Sequence, residues 1–372
     1  MEAGHYDLAI VGAGICGLAH ALAALRRGRK IVVIDRDAQA NGASIRNFGF
    51  VTITGQQRGQ CWQRAMRSRD VWLEVAGPAG IDVIHRGLVV AARRPQASAV
   101  LEAFLSTEMG EGCEFLAPAA AKSRFPMLNG VAAALYSPHE VRVESRDAIP
   151  RLADWLARAH GVTFMRGASV HDVAPPRIET SRGTITAEAA IVCPGDDLVS
   201  LFPERLQPYR LTRCKLHMMR LAAPGVRLDC AVMSDLGLVR YLGYAELPEA
   251  AALKSVLLDE QPDHLDNGVH LIVVRSADGS LVVGDSHHYA PTPDPFAPES
   301  VDALILDEFR AVLVASDLRV TERWTGTYAS APDRLALIDK PSDAVRLVLI
   351  TSGTGASTSF AIAEEVIAGL YG

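Results

Sequence analysis

Gly12-Ala13-Gly14-Ile15-Cys16-Gly17 sets three glycines at the spacing G-x-G-x-x-G, and Asp35 closes the next apolar run. Glycines so spaced let a chain turn tightly, admit phosphate against backbone N–H groups and pack a helix close to a strand. Asp35 can accept hydrogen bonds from a ribose hydroxyl. The chemistry is dinucleotide binding, with phosphate at the positive end of a helix; the alternative is a glycine-rich turn with no chemical role. A second small-residue group, Ser352-Gly353-Thr354-Gly355-Ala356-Ser357-Thr358, offers a further phosphate or ring-oxygen site, or else a helix cap with glycines for the turn. The cysteines at 16, 61, 113, 193, 214 and 230 show no C-x-x-C and no His/Cys metal spacing. That pattern predicts reduced thiols and no metal centre.

These groups need elements to hold them. Leu8–Val11 reads as a strand, an Ala/Leu-rich helix follows Gly17, and Ile31–Ile34 reads as a second strand, completing a βαβ unit. Further on, helices are expected over Gln57–Ala76, Val100–Glu111, Ala117–Phe125, Ser145–His160, Pro298–Ser316 and Phe360–Leu370. Strands are expected over Ile81–Ala92, Ala132–Tyr136, Glu140–Val143, Val162–Arg166, Ala189–Cys193, Leu211–Leu221, Leu238–Ala245, Val269–Arg275, Ser280–Gly284 and Arg346–Thr351. A turn-rich hairpin passes through Ser181–Thr184, and a Pro-rich loop spans Pro291–Pro298.

At 372 residues the chain is long enough for two lobes. A net charge of −6 argues against general nucleic-acid binding. No apolar run reaches the roughly twenty residues a membrane span needs. Met1–Tyr6 leads straight into the first strand with no signal-peptide pattern, so a cytoplasmic location is expected.

Together the motifs resemble the FAD-dependent oxidoreductases of the D-amino-acid oxidase, glycine oxidase and sarcosine oxidase superfamily. The resemblance implies a Rossmann-like α/β FAD-binding domain interleaved with an α+β substrate domain on a mixed or antiparallel sheet. The expected division is 1–82, 145–210 and 320–372 for FAD, with 83–144 and 211–319 for substrate. Gly12, Gly14, Ile15, Cys16, Gly17, Asp35 and Arg36 look like its ADP-binding unit. Gly42–Gly49 resembles the segment passing under the flavin, which implicates Ala43, Ser44, Asn47 and Gly49. Val170 falls where the family contacts adenine, and Gly195 ends the strand beside the pyrophosphate. Gly353, Thr354, Gly355, Ala356, Ser357 and Thr358 look like the turn whose N–H groups face the flavin pyrimidine.

The substrate side departs from the family pattern. Trp324–Asp333 resembles a segment in which glycine and D-amino-acid oxidases place a carboxylate-binding arginine, and here that position is Tyr328. A neutral hydroxyl cannot replace a bidentate, permanently charged clamp. Sarcosine oxidases attach the flavin through a cysteine where this chain has Gly326, so non-covalent FAD is expected. Their carboxylate-binding lysine falls on Ser357. The runs Asn41–Gln56, Ser137–Arg146 and Gly284–Tyr289 are similar to a subgroup found with phosphonate-catabolism functions, which implies an aminophosphonate such as 2-aminoethylphosphonate or its N-methyl derivative.

The implied reaction is oxidation of a C–N bond to an imine, which water hydrolyses to phosphonoacetaldehyde and an amine. Donors for the anionic group are Arg46, Arg146 and Arg240. Tyr328 and His287 sit at or beside family substrate positions, with Tyr241 and His288 as neighbours. The lysine that sarcosine oxidases hold against the flavin falls on Val282, leaving Lys215 to supply positive charge; without it another acceptor replaces O2. Two alternatives remain open: a sarcosine- or glycine-type amino-acid oxidase, and a flavin-binding protein without turnover.

Overall fold

The computed structural model describes residues 5–222, 225–315 and 317–372. Two sheets organise them. In the first, the βαβ unit places strand His5–Val11 between Ile31–Asp35 and Gly183–Val192, all parallel. Thr163–Arg166 extends the parallel set beyond Ile31–Asp35, and Val345–Ile350 extends it beyond Gly183–Val192. Ala336–Ser342 closes that edge antiparallel, and the hairpin strands Val170–Ala174 and Arg177–Thr180 branch from Gly183–Val192. The central strands are apolar at successive positions because both faces are covered. Leu8, Ile10, Val33 and Ile191 face a core shared with helices Ile15–Leu25, Gln60–Ala76, Ser145–His160 and Gly355–Tyr371. Ala9, Val32, Ile34 and Val192 face the hairpin side.

The second sheet is mixed, with ten strands. Its spine runs His288–Ala290, Thr212–Ala222, Leu281–Gly284, Ile272–Arg275, Ala231–Ser234, Val83–Ala92, Ala133–Val143 and Phe50–Val51. Arg319–Ser330 pairs along nearly the whole of Thr212–Ala222, and Glu114–Leu116 pairs with Ala133–Val143. Helices Pro95–Leu105, Ala250–Glu260 and Glu299–Val312 share its core. The α/β class with a Rossmann-like domain is therefore the observed fold.

The sheets divide the chain differently from the expected boundaries at two places. Arg319–Ser330 lies in the second sheet, hydrogen-bonded to Thr212–Ala222, although 320–372 was assigned to the FAD side. Phe50–Val51 likewise pairs with Arg142 and Val141.

Local expectations are corrected where tertiary contacts override pattern. Leu238–Ala245 is not a strand: a 3-10 turn spans Asp235–Val239 and a short helix spans Leu242–Ala245. Gly243 packs against the Gly55 and Gln56 backbone, and its N–H donates to the Gly55 carbonyl at 2.9 Å, which anchors the turn there. Ala132–Tyr136 and Glu140–Val143 form one strand, Ala133–Val143. Its partner register jumps between Arg86 and Leu88, bulging Pro138 out of the ladder where its missing N–H costs no bond. The helix expected at Val100 starts at Pro95, with proline in the first turn, and ends at Leu105. The last helix starts at Gly355, five residues before Phe360. The helix beginning at Glu299 ends at Val312; Ser316 and Met1–Gly4 lie outside the described residues.

Candidate functional site

One cavity of about 970 Å³ runs from the Gly12–Gly17 turn along the ends of the parallel strands to the second sheet. At the nucleotide end, Gly12 has φ +101°, and a Cβ there would meet the Cys193 carbonyl. A Cβ on Gly17 would collide with the Gly12 carbonyl. Gly14 starts the helix with no side chain of its own to cap it, so the Cys16 and Gly17 N–H groups stay available to an anion. Ser44 Oγ accepts from the Ile15 N–H at 2.9 Å, tying the Asn41–Gly49 loop to this turn. The Asp35 carboxylate accepts from the Ala13 N–H at 2.6 Å and the Asp37 N–H at 2.8 Å while lining the cavity. Arg36 pairs with Asp197 at 2.9 Å across the mouth.

Cys16, Val170 and Gly195 also line this end. Asn47 bridges its loop, donating to the Ala43 carbonyl at 2.7 Å and accepting from the Gly49 N–H at 2.6 Å. The terminal turn presents Gly353, Thr354, Gly355 and Ala356 to the same cavity.

The far end is built by the second sheet. Tyr328, on Arg319–Ser330, and Leu216, on Thr212–Ala222, line it, as do Arg46 and Phe48. Arg46 donates to Asn41 Oδ1 at 3.0 Å. Arg240 follows the 3-10 turn and donates to the Tyr289 hydroxyl at 2.8 Å. Burial works against its charge, but Tyr289, Tyr328 and Asp285 around it hold its pKa above the ordinary value. Asp285, His270 and His287 complete the wall and are all buried. The carboxyl of Asp285 is pushed up to about 8 by burial, against the pull of Arg240. Burial and Arg240 hold both histidines well below their ordinary value, and therefore neutral.

Two groups bring metal-ligand types together: Cys16, His20 and Cys193 near the glycine turn, and His270, Asp285 and His287 in the far wall, each with ligand atoms within 4.8 Å of one another. Neither is a spacing along the chain from which a metal is expected. In the first, Cys193 hydrogen-bonds Cys16, lowering the Cys16 thiol to about 5 and raising its own. In the second, two neutral histidines and one carboxyl beside the Arg240 guanidinium supply too little negative charge for a divalent cation that brings no anion with it.

The glycine cradle, the uncapped helix and the two-ended cavity fit a flavin dinucleotide. The family described as FAD dependent oxidoreductase (DAO) matches residues 7–368. The chain belongs to this family. Among curated proteins, this DAO-family chain is 24% identical over 353 residues to the Bifunctional protein ThiO/ThiG of Nostoc sp. (strain PCC 7120), covering 89% of this chain and 47% of that protein. It is 24% identical over 206 residues to the Glycine oxidase of Geobacillus kaustophilus (strain HTA426), covering 51% and 54%. The chain thus spans about half the length of the curated relatives it matches.

Among solved structures, glycine oxidase from Bacillus cereus ATCC 14579 superposes with a TM-score of 0.78 at 16% identity, covering 98% of this chain and 95% of that one. L-proline dehydrogenase from P. horikoshii gives 0.77 at 17% identity, covering 97% and 92%. At such identities the likeness is one of fold. FAD is the cofactor of this family, and held in this cavity it would supply the acceptor for a hydride equivalent.

Within the DAO-family site, six expected residues stand outside the cavity wall. Lys215 points the other way from Leu216, as strand alternation requires, and its ammonium binds Asp294 at 3.0 Å and the Phe296 carbonyl at 2.8 Å. His288 pairs opposite Lys215 on the neighbouring strand. Arg146 pairs with Glu322 at 2.9 Å and stacks on Trp324. Gly49 packs against the Val143 carbonyl. Ser357 accepts from the Thr52 N–H at 2.9 Å, and Thr358 donates to the Thr354 carbonyl at 3.0 Å. Sequence reasoning also missed His270, Asp285 and Tyr289. Asp285 and Tyr289 stand in the run Gly284–Tyr289 on either side of His287 and His288. His270 was absorbed into an expected strand that begins only at Ile272.

Proposed function

We propose that the chain oxidises the C–N bond of a small amine that carries a second, anionic group, with an aminophosphonate such as 2-aminoethylphosphonate or its N-methyl derivative as substrate. Non-covalent FAD takes the hydride equivalent, O2 or another acceptor reoxidises it, and the imine product is hydrolysed to phosphonoacetaldehyde and an amine. The observation that carries this reading is Arg240, half-buried in the cavity wall beside Tyr328 and bonded to Tyr289. It offers a fixed cation to an anionic substrate although the position that holds arginine in amino-acid oxidases is tyrosine. Guanidinium geometry suits phosphonate oxygens, and the tyrosine hydroxyls add donors. The neutral histidines and Asp285 line the same space close to Arg240, so a fixed cation and a patch of lone-pair acceptors stand side by side for the two ends of a zwitterion.

A sarcosine- or glycine-type substrate is the second reading, supported by the partial identity to a glycine oxidase and by an Arg240 equally able to hold a carboxylate. Anaerobic titration of the holoenzyme with 2-aminoethylphosphonate, its N-methyl derivative, glycine and sarcosine separates the two. Bleaching of the flavin band by the phosphonates alone is expected. Bleaching by sarcosine or glycine alone would replace the first reading with the second, and bleaching by none of them leaves a flavin-binding protein without turnover.

A further inference from the structure

Three acceptor-bearing side chains converge on one wall of the cavity. Asp285 and His270 are joined through their backbones, the Asp285 N–H donating to the His270 carbonyl at 3.0 Å and the His270 N–H to the Asp285 carbonyl at 3.2 Å. These bonds continue the pairing of Ile272 with Gly284 just past the strand ends. His270 Nδ1 stands 3.2 Å from Asp285 Oδ1, and His287 Nε2 stands 3.8 Å from Oδ2. His287 Nδ1 donates to the Gly268 carbonyl at 2.9 Å, which leaves Nε2 with a lone pair facing the carboxyl. Asp285 Oδ1 and His270 Nδ1 are buried without a hydrogen-bond partner. With Asp285 ionised the patch is rich in acceptors and short of donors, unlike the neighbouring guanidinium of Arg240.

We propose that this patch receives the ammonium group of the substrate, and that the Asp285 carboxylate takes its proton. The inference rests on the amine-oxidising reading above. The positive charge of an ammonium, quaternary or not, favours the ionised carboxylate, and the N–H groups of a substrate amine in addition meet the acceptors that lack donors. In the transfer one N–H bond breaks, an O–H bond forms on Asp285, and the electron pair stays on nitrogen. A neutral amine is the form from which the adjacent C–H can leave as hydride. The histidines are positioning residues that offer lone pairs to the remaining N–H groups.

The charged and titratable groups facing Asp285 are Arg240 and Tyr241 from the turn after the 3-10 helix, His287 from its own loop, His270 from the loop before the neighbouring strand Ile272–Arg275, and Cys214 from Thr212–Ala222. With burial dominant, the carboxyl is protonated at neutral pH in the free protein. A bound cation therefore displaces that proton before the substrate's own proton is taken.

Calorimetric titration of the FAD-loaded protein with 2-(trimethylammonio)ethylphosphonate and with glycine betaine, in HEPES and in Tris, reads that displacement directly. Neither probe has an N–H to lose, so any released proton comes from the protein. Close to one proton per bound probe is expected at pH 7, falling toward zero at pH 9.5, with no variant required. Asp285→Asn is expected to abolish the release and weaken probe binding at least tenfold. Release on binding betaine but not the phosphonate probe would sink the aminophosphonate reading and keep the ammonium site. Binding of the phosphonate probe with no proton released, and equally well to Asp285→Asn, would overturn the site and leave that reading intact. Failure of both probes to bind would also overturn it. So would a stoichiometric divalent metal in the purified protein that Asp285→Asn removes.

Discussion

Arg240 carries the anionic end of the substrate in the proposed reading, and its replacement has a graded outcome. Arg240→Ala should raise KM for the anionic amine roughly tenfold to a hundredfold, the range for losing hydrogen bonds to a charged group. Arg240→Lys should recover only part of that, since a point charge lacks the guanidinium fork. Equal steady-state constants in all three proteins would remove Arg240 from the site. Asp285 makes a separate prediction about stability. Its folded pKa, about 8, lies above the unfolded value near 3.8, so the stability it contributes is full at low pH and is lost as pH rises through 8. His270 and His287 have depressed values, so their contribution is present above about 6.5 and is lost as pH falls below it. Asp285→Asn should therefore gain several °C in Tm over wild type between pH 6 and 9. Melting curves that stay parallel across that range would contradict the burial of an ionisable group there.

At the scale of elements, the glycine turn ranks its own substitutions. Gly17→Ala drives a Cβ into the Gly12 carbonyl, backbone that cannot yield without moving strand from helix. Gly14→Ala places a Cβ 2.9 Å from Ser44 Oγ, the end of a side chain that can rotate away. FAD retention after gel filtration should follow wild type, then Gly14→Ala, then Gly17→Ala, and the reverse order would refute this packing. The same scale explains where pattern reading succeeded. Ser145–His160 was legible to the residue because its apolar face repeats at helical spacing and Gly161 closes it at φ +69°. Leu238–Ala245 was not, because four residues of helix carry too little periodicity to be told from a strand. What holds that turn is the approach of Gly243 to Gly55, distant in sequence.

For the whole molecule, the cavity draws walls from both sheets, so FAD should couple them. Free FAD at about 100 times its Kd adds about 2.7 kcal/mol to a state that alone binds it, which raises Tm by several °C in one transition. Two transitions, with only one moved by FAD, would mean that the sheets unfold independently. No helix among the described residues is long and apolar enough to cross a membrane. Short-range pattern was enough to bring Gly12, Gly14, Gly17 and Asp35 to one end of the cavity, since they stand within one βαβ unit whose spacing is fixed along the chain. The final turn at Gly353–Ala356 was legible for the same reason. The far end of the cavity was decided only by tertiary structure. Asp285 and His270 come from facing strand ends, Arg240 from a turn read as a strand, and Tyr328 from a strand two positions away in the sheet. Nothing in their sequence spacing encodes that meeting. Lys215 shows the limit most plainly, because one step of strand alternation sets it with Asp294 while Leu216 takes the cavity.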